Sequence, residues 1–149
     1  MYRYNESDWP IFRVFAPAEA VTDSEFEEHL NRLARVLQRK EPHVLSIQLA
    51  AASWLSMERR DRIRVHTNGL KSLADVYQVG IAVVVPSAIQ RAMASALLWM
   101  ARPACPSAVF SDVAAADAWS LERLAHRGLR GAASRAEGAR VAAARDLPR

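Results

Sequence analysis

Residues 79–87 read VGIAVVVPS, a nearly unbroken run of β-branched residues that stops at Pro86. Such a run is typical of a central strand that is covered on both faces, as in a parallel sheet. Ser87 then stands three residues before Gln90, which is the capping-box spacing at the start of a helix. The stretch therefore predicts a buried strand that leads directly into a helix, the basic unit of an α/β fold.

The same alternation continues on both sides of this stretch. Residues 43–50 predict another strand, buried or half-buried, and residues 107–111 predict a short strand before Asp112, a favourable helix N-cap. Residues 2–4 and 9–15 predict two strands in a hairpin. We expect one α/β domain with a mostly parallel central sheet of about 4–5 strands and about four helices.

The first helix has the clearest sequence signature. Thr22 and Glu25 have the capping-box spacing, and Val21 and Phe26 occupy the positions of a hydrophobic staple. An apolar stripe then follows at helical spacing: Phe26, Leu30, Leu33 and Leu37. A second helix is expected over residues 56–76, with a kink or an interruption at Gly69.

The third predicted helix, residues 88–101, is apolar almost all round, which indicates deep burial or packing against a partner. We expect Met93, Leu97 and Met100 to face the sheet. Trp99 then lies beside a polar line, and an aromatic residue next to arginine is typical of binding hot spots. The alternative is that Trp99 covers the edge of the sheet, and both interpretations stay open here. The candidate interaction residues on this helix are Arg91, Ser95, Trp99 and Arg102.

Residues 58–64 carry four arginines near the start of the second predicted helix, with Arg60 and Arg64 one turn apart. Arginines in this arrangement could bind an acidic partner or a phosphate. The simpler alternative is a solvated face that Glu58 and Asp61 neutralise. Both interpretations stay open here, and Arg60 and Arg64 join the candidate interaction residues.

The positive charge is confined to one end of the chain. The 149 residues carry a net charge of +4, yet basic and acidic residues balance up to His126. Residues 1–127 therefore predict the folded domain, and residues 128–149 predict a basic Ala/Arg/Gly-rich tail. Because the tail has no aromatic residue to stack on bases, we expect a solubilising extension without specific nucleic-acid binding.

Targeting signals are absent from the sequence pattern. Residues 1–8 are polar, and the longest apolar stretch, residues 92–101, is half of the roughly 20 residues that a membrane span needs. Cys105 is the single cysteine, which excludes an internal disulfide and fits a reducing compartment. We expect a cytoplasmic protein without a transmembrane segment, in which Cys105 is incidental and not a reactive exposed thiol.

No sequence motif assembles a catalytic or metal-binding set. The four histidines lie on separate predicted elements without zinc-site spacing, and the glycines of a phosphate loop do not follow Gly80. His66, on an apolar helix face, is most simply a histidine at the edge of the core. We therefore expect a protein that is not an enzyme and uses no cofactor or metal.

Several local patterns occur in an order that is similar to a known family. They are residues 9–11, residues 21–26, residues 80–87, and residues 109–112 followed by Ala116, Ala118 and Trp119. Together, over roughly residues 9–124, they resemble the small SpoIIAA-like bacterial proteins of the STAS/SEC14 type. The resemblance implies a STAS-like layered fold.

One departure from the family pattern concerns phosphorylation. Anti-sigma-factor antagonists with this fold carry an Asp-Ser-Ser-Gly type segment, with a phosphorylated serine, after the third strand. Residues 48–56 of this chain contain no acidic residue and no glycine. Ser53 and Ser56 are the candidate phosphorylation sites, although Ser56 is better explained as a helix N-cap.

The resemblance leaves two functions open. The first is a non-enzymatic regulatory or protein-interaction domain that binds a protein partner or a second copy of itself. The alternative is a carrier of a small apolar ligand, lipid-like or nucleotide-like. In that case the third helix is expected to line a pocket near residues 50–54 and residues 86–87.

Overall fold

The computed structural model describes residues 1–50 and 56–128. The strands are β1 (Arg3–Asn5), β2 (Ile11–Ala16), β3 (His43–Leu49), β4 (Gln78–Val84) and β5 (Ser107–Phe110). The helices are α1 (Asp23–Gln38), α2 (Met57–Gly69), α3 (Lys71–Tyr77), α4 (Ala88–Ala101) and α5 (Val113–His126). The predicted tail lies outside the described residues from 129 onwards.

The five strands form one sheet whose spatial order is the order of the chain, β1 to β5. β1 is antiparallel to β2, and every other pair is parallel. Val14, Ile47, Val83 and Val109 stand in one row across the four parallel strands. The prediction of an α/β fold with a mostly parallel sheet is therefore confirmed, whereas the STAS-like layering stays a prediction.

The predicted second helix is two helices in the structure. α2 ends at Gly69, and α3 begins at Lys71, so the described chain has five helices where about four were expected. Gly69 lacks a side chain that would favour helical backbone, which explains why the break falls there.

Strand order decides which face of the sheet each helix covers. Crossovers between neighbouring parallel strands are right-handed, so successive crossovers in one direction all lie on one face. Accordingly Val36 of α1 packs with Phe12 and Val14, and Ala94 of α4 packs with Val83. The opposite face is covered by α5, whose Leu124 lies against the strands.

The capping box at the start of α1 is formed as predicted. The Glu25 backbone N–H donates to the Thr22 hydroxyl, and the Thr22 backbone N–H donates to the Glu25 carboxylate at 2.8 Å. These interactions hold the pKa of Glu25 below its usual value. Val21 and Phe26 pack together with Leu30. The capped end thereby fixes the angle at which α1 meets the sheet.

Gly80 lets α5 approach the sheet closely. A Cβ at position 80 would lie 2.9 Å from a ring carbon of Trp119, too close for an ordinary contact. Trp119 is half-buried against both apolar clusters on this face, one around Leu124 and one around Ala116. The absence of a side chain at Gly80 therefore leaves room for Trp119 of α5 to lie on the strand.

A buried ion pair also fastens α5 to the sheet. Arg13 on β2 donates from Nη1 to Asp117 of α5 at 2.7 Å and from Nε to Asp8 at 2.6 Å. Arg13 and Asp117 are only 5% and 4% exposed. Burial alone would lower the pKa of Arg13, but the hydrogen bonds and charges of Asp117 and Asp8 outweigh it and raise that pKa. The guanidinium therefore stays charged inside the protein.

Replacing Asp117 with alanine is expected to destabilise the fold. An Asp117→Ala variant leaves a buried guanidinium with one partner, so its free energy of unfolding should fall by about 3 kcal/mol in urea titrations. Asp75→Ala is the matched control because it removes an exposed pair with Lys71, with an expected loss below about 1 kcal/mol. Equal losses in the two variants would contradict the role given to the buried pair.

Candidate functional site

α4 is held at both ends by interactions within the chain. The Gln90 backbone N–H donates to the Ser87 hydroxyl, as the sequence predicted. Arg91 donates to the backbone oxygens of Val85 and Pro86, where β4 has just ended. Arg102 ends the helix in the left-handed conformation, with φ at 43°. The helix therefore has a fixed rotation against the sheet.

The inner side of α4 carries Ala94, Leu97 and Leu98, the apolar residues of this helix that are buried or half-buried. The expectation that Met93 and Met100 would face the sheet with Leu97 is wrong for both methionines. They are 46% and 62% exposed. An all-round apolar helix has no polar face to indicate its rotation, so periodicity could not decide which side is buried.

The outer side of α4 carries large apolar side chains in solvent. Ile89 is 76% exposed and Trp99 is 74% exposed. Together with Met93 and Met100 they expose on the order of 500 Å². The helix has no charged residue between Arg91 and Arg102. A patch of this size on one element is typical of an interaction surface.

The spacing of the outer residues is that of a helix-pairing seam. Ile89, Ala92, Ala96 and Trp99 follow one another at intervals of 3, 4 and 3, the a/d pattern of a coiled coil. Ala92 and Ala96 point away from the sheet because they lie opposite the buried Ala94 on the helix. We call Ile89, Ala92, Met93, Ala96, Trp99 and Met100 the α4 seam.

The predicted interaction residues divide between different places. Ser95, Trp99 and Arg102 are exposed on α4, next to or within the α4 seam. Arg91 is half-buried and engaged by backbone oxygens of its own chain. Sequence reasoning selected Trp99 but missed Ile89 and Met93, for which the heptad spacing was the available signal.

Both α2 arginines are exposed. Arg64 is bound to Asp61 at 2.7 Å, as in the solvated-face interpretation. Arg60, one turn earlier, is also among the residues that line a cavity.

The cavity lies between the sheet and helices α1 to α4 and has a volume of about 340 Å³. Its walls are mainly apolar side chains, among them Val14, Leu33, Ile47, Ile63 and Leu98. Leu97 and Leu98 of α4 line it as expected for a ligand pocket, but Pro86 and Ser87 do not, and residues 51–54 lie outside the described residues.

Two histidines contribute polar atoms to the cavity wall. His29 Nδ1 and the Tyr4 hydroxyl are 3.1 Å apart. Burial, followed by the nearby His66, lowers the pKa of His29 to about 4, and burial raises the pKa of Tyr4 to about 12. The phenol is therefore the donor to a neutral imidazole. Within the part of the chain that the structure describes, His66 Nε2 is buried without a hydrogen-bond partner.

The remaining candidates from the sequence are two serines and the single cysteine. Ser56 accepts a hydrogen bond from the Arg59 backbone N–H and is the N-cap of α2, as predicted. Ser56 stays a candidate phosphorylation site, and Ser53 lies outside the described residues. Cys105 is buried, and burial raises the pKa of its thiol to about 11, so the alternative of an exposed reactive thiol is wrong.

Within the described ranges 1–50 and 56–128, no three His, Cys, Asp or Glu side chains are grouped as metal ligands. In the same ranges, no helix has the length and apolar character needed to cross a membrane. Comparison with known proteins finds no matching family model, no matching curated protein and no matching solved structure. Functional inference therefore depends on the α4 seam and the cavity.

His29 is expected to make the fold less stable in mild acid. Its pKa of about 4 in the folded protein lies below the value of about 6.5 in an unfolded chain. As the pH falls from 6.5 to 4 the unfolded state binds the proton first, so up to about 3 kcal/mol of stability is lost over that range.

Urea titrations from pH 7 to pH 4 measure this loss. A His29→Gln variant, which keeps an acceptor for Tyr4, should show a shallower decline than the wild type. His126→Gln, at an exposed histidine of α5, is the control and should follow the wild-type curve. Parallel curves for the wild type and His29→Gln would rule out this role of His29.

Proposed function

We propose that this chain is a non-enzymatic regulatory or protein-interaction domain of the STAS-like type that pairs with a second copy of itself through the α4 seam. The observation that carries the proposal is the set of four large exposed side chains on one uncharged helix face. On the same face, Ile89, Ala92, Ala96 and Trp99 have the heptad spacing that a second helix requires for side-chain packing. The SpoIIAA-like sequence pattern supports the choice of domain type.

Charge and shape favour a second copy as the occupant. The seam is uncharged, so two identical faces meet without like-charge repulsion. In an antiparallel pair, Ile89 lies against Trp99 of the second copy and Ala92 against Ala96 of the second copy. The small alanines then permit close approach at the centre, and the large residues pack at both ends.

The exposed area is sufficient for this pairing. A stable interface buries about 800 Å² on each partner. The four large side chains supply more than half of that, on the order of 500 Å², and the alanines between them add to it. Trp99 is the expected hot spot because aromatic residues dominate interface energetics.

Removing Trp99 is expected to weaken the dimer. The wild-type chain should sediment as a dimer at micromolar concentration, and Trp99→Ala should raise the dissociation constant by roughly 30-fold or more, equivalent to about 2 kcal/mol. Because Trp99 is 74% exposed, the unfolding free energy of the monomer should stay unchanged.

Met57→Ala is the matched control, since Met57 is 83% exposed but lies on α2, away from the α4 seam. It should sediment as the wild type does. A wild-type chain that stays monomeric at 100-fold higher concentration, or a Trp99→Ala chain that dimerises normally, would overturn the proposal.

A second function, a carrier of a small apolar ligand, is favoured by the cavity between the sheet and the helices. Its volume of about 340 Å³ lies within the range of small-molecule sites, although at the lower end. The walls are mainly apolar, with few polar groups to orient a ligand. The two functions are compatible because the cavity lies on the inner side of α4 and the seam on its outer side.

A further inference from the structure

The wall of the cavity offers a ligand almost no charge. Among the described residues that line it there is no Asp or Glu, and Arg60 is exposed and already interacts within the chain. Burial lowers the pKa of His29 to about 4 and also lowers the pKa of His43, so both imidazoles are neutral at pH 7. A charged group inside the cavity would therefore lose its hydration without gaining a free counter-charge.

Most of the wall is hydrocarbon. The sheet contributes Phe12, Val14 and Leu45, and α4 contributes Leu97 and Leu98. Such walls make dispersion contacts with an alkyl chain, whereas they would leave the many polar atoms of a nucleotide unpaired. The volume of about 340 Å³ is too small for a lipid with two chains. A ligand that fits is therefore a single alkyl chain with little polar surface.

His66 on α2 provides a hydrogen-bonding atom in this wall. In the ranges that the structure describes, its Nε2 is buried and has no hydrogen-bond partner. A buried polar atom without a partner costs free energy, which a ligand recovers by supplying one. A hydroxyl group can donate or accept, so it suits Nε2 whichever ring nitrogen of His66 carries the proton. Thr67, also in the wall, already donates its hydroxyl proton to the Ile63 backbone oxygen.

We propose that the cavity binds a single-chain aliphatic alcohol, with its hydroxyl at His66 and its chain between the sheet and α4. The neutral hydroxyl matches a wall without a free charge, and the alkyl chain matches the apolar side chains of the sheet and α4. This assignment rests on the second proposed function, the ligand carrier.

Titration calorimetry on the full chain at pH 7 tests the assignment with decanol, decanoate and decylammonium. The three probes share one chain length and differ in the charge of the polar end, and each is used below its critical micelle concentration or solubility limit. The wild type should bind decanol roughly tenfold or more tightly than either charged probe, because only the charged ends lose hydration without compensation.

Two variants on opposite walls test the location. Ile63→Trp on α2 and Leu97→Trp on α4 each place a larger side chain in the cavity and should abolish the binding of decanol. Val65→Trp makes a similar change at a 61% exposed position of α2 and should bind as the wild type does. Circular dichroism shows which variants are folded, and either folded cavity variant is sufficient for the test.

The position of the hydroxyl is tested at His66. His66→Leu removes the hydrogen-bonding atoms and should weaken the binding of decanol roughly fivefold or more, while His66→Gln, which keeps polar atoms, should recover part of the loss. His126→Leu, at an exposed histidine of α5, is the matched control and should bind as the wild type does.

The outcomes separate the inference from the carrier function. If none of the three probes binds the wild type, both the carrier function and the alcohol assignment are overturned. If a charged probe binds as tightly as decanol, the carrier function survives and the neutral end is refuted. Unimpaired binding of decanol by a folded Ile63→Trp or Leu97→Trp chain would refute the cavity as the site, and unimpaired binding by His66→Leu would refute the position of the hydroxyl.

Discussion

The right-handedness of parallel crossovers is the constraint on which the rest of this structure depends. Since the sheet follows chain order from β1 to β5, every crossover moves in the same direction, and helices α1 to α4 lie on one face. That face holds the cavity, while α4, over the β4–β5 end, keeps its outer side in solvent. The other face is left to α5, which must be fastened separately.

Two different features hold α5 on the sheet, an ion pair and a glycine. Arg13 joins the sheet to Asp117 by a buried ion pair. Burying the two charges costs free energy of desolvation, but any other position of α5 would leave a buried charge without its partner. Gly80 removes the Cβ that would collide with Trp119 and so lets the ring lie on the strand. Both features are local to β2 and β4, yet they determine how a helix more than thirty residues further along the chain is placed.

Elements with strong local signals could be predicted from the sequence. The Thr22–Glu25 capping box, the break at Gly69 and the β-branched strand around Val83 each act over a few residues, and the structure forms all of them. The rotation of α4 was predicted wrongly, because apolar residues lie almost all round that helix and the polar Arg91 is half-buried, so it does not mark the exposed side. The cavity and the Arg13–Asp117 pair join residues far apart in sequence, and no single-sequence pattern reports such contacts.

Antiparallel pairing of α4 is tested most directly by disulfide exchange between two cysteine variants in a Cys105→Ser background. Ala92→Cys and Ala96→Cys chains are mixed and oxidised, and the linked species are counted by mass. Because a disulfide needs Cα atoms within about 7 Å, antiparallel pairing predicts that the mixed 92–96 dimer of equimolar chains exceeds each homodimer by more than the roughly twofold ratio that random linkage gives. Ala118→Cys places a cysteine at an exposed position on α5 and is the control. If the α4 variants form no more disulfide-linked dimer than this control does, pairing through the α4 seam is contradicted.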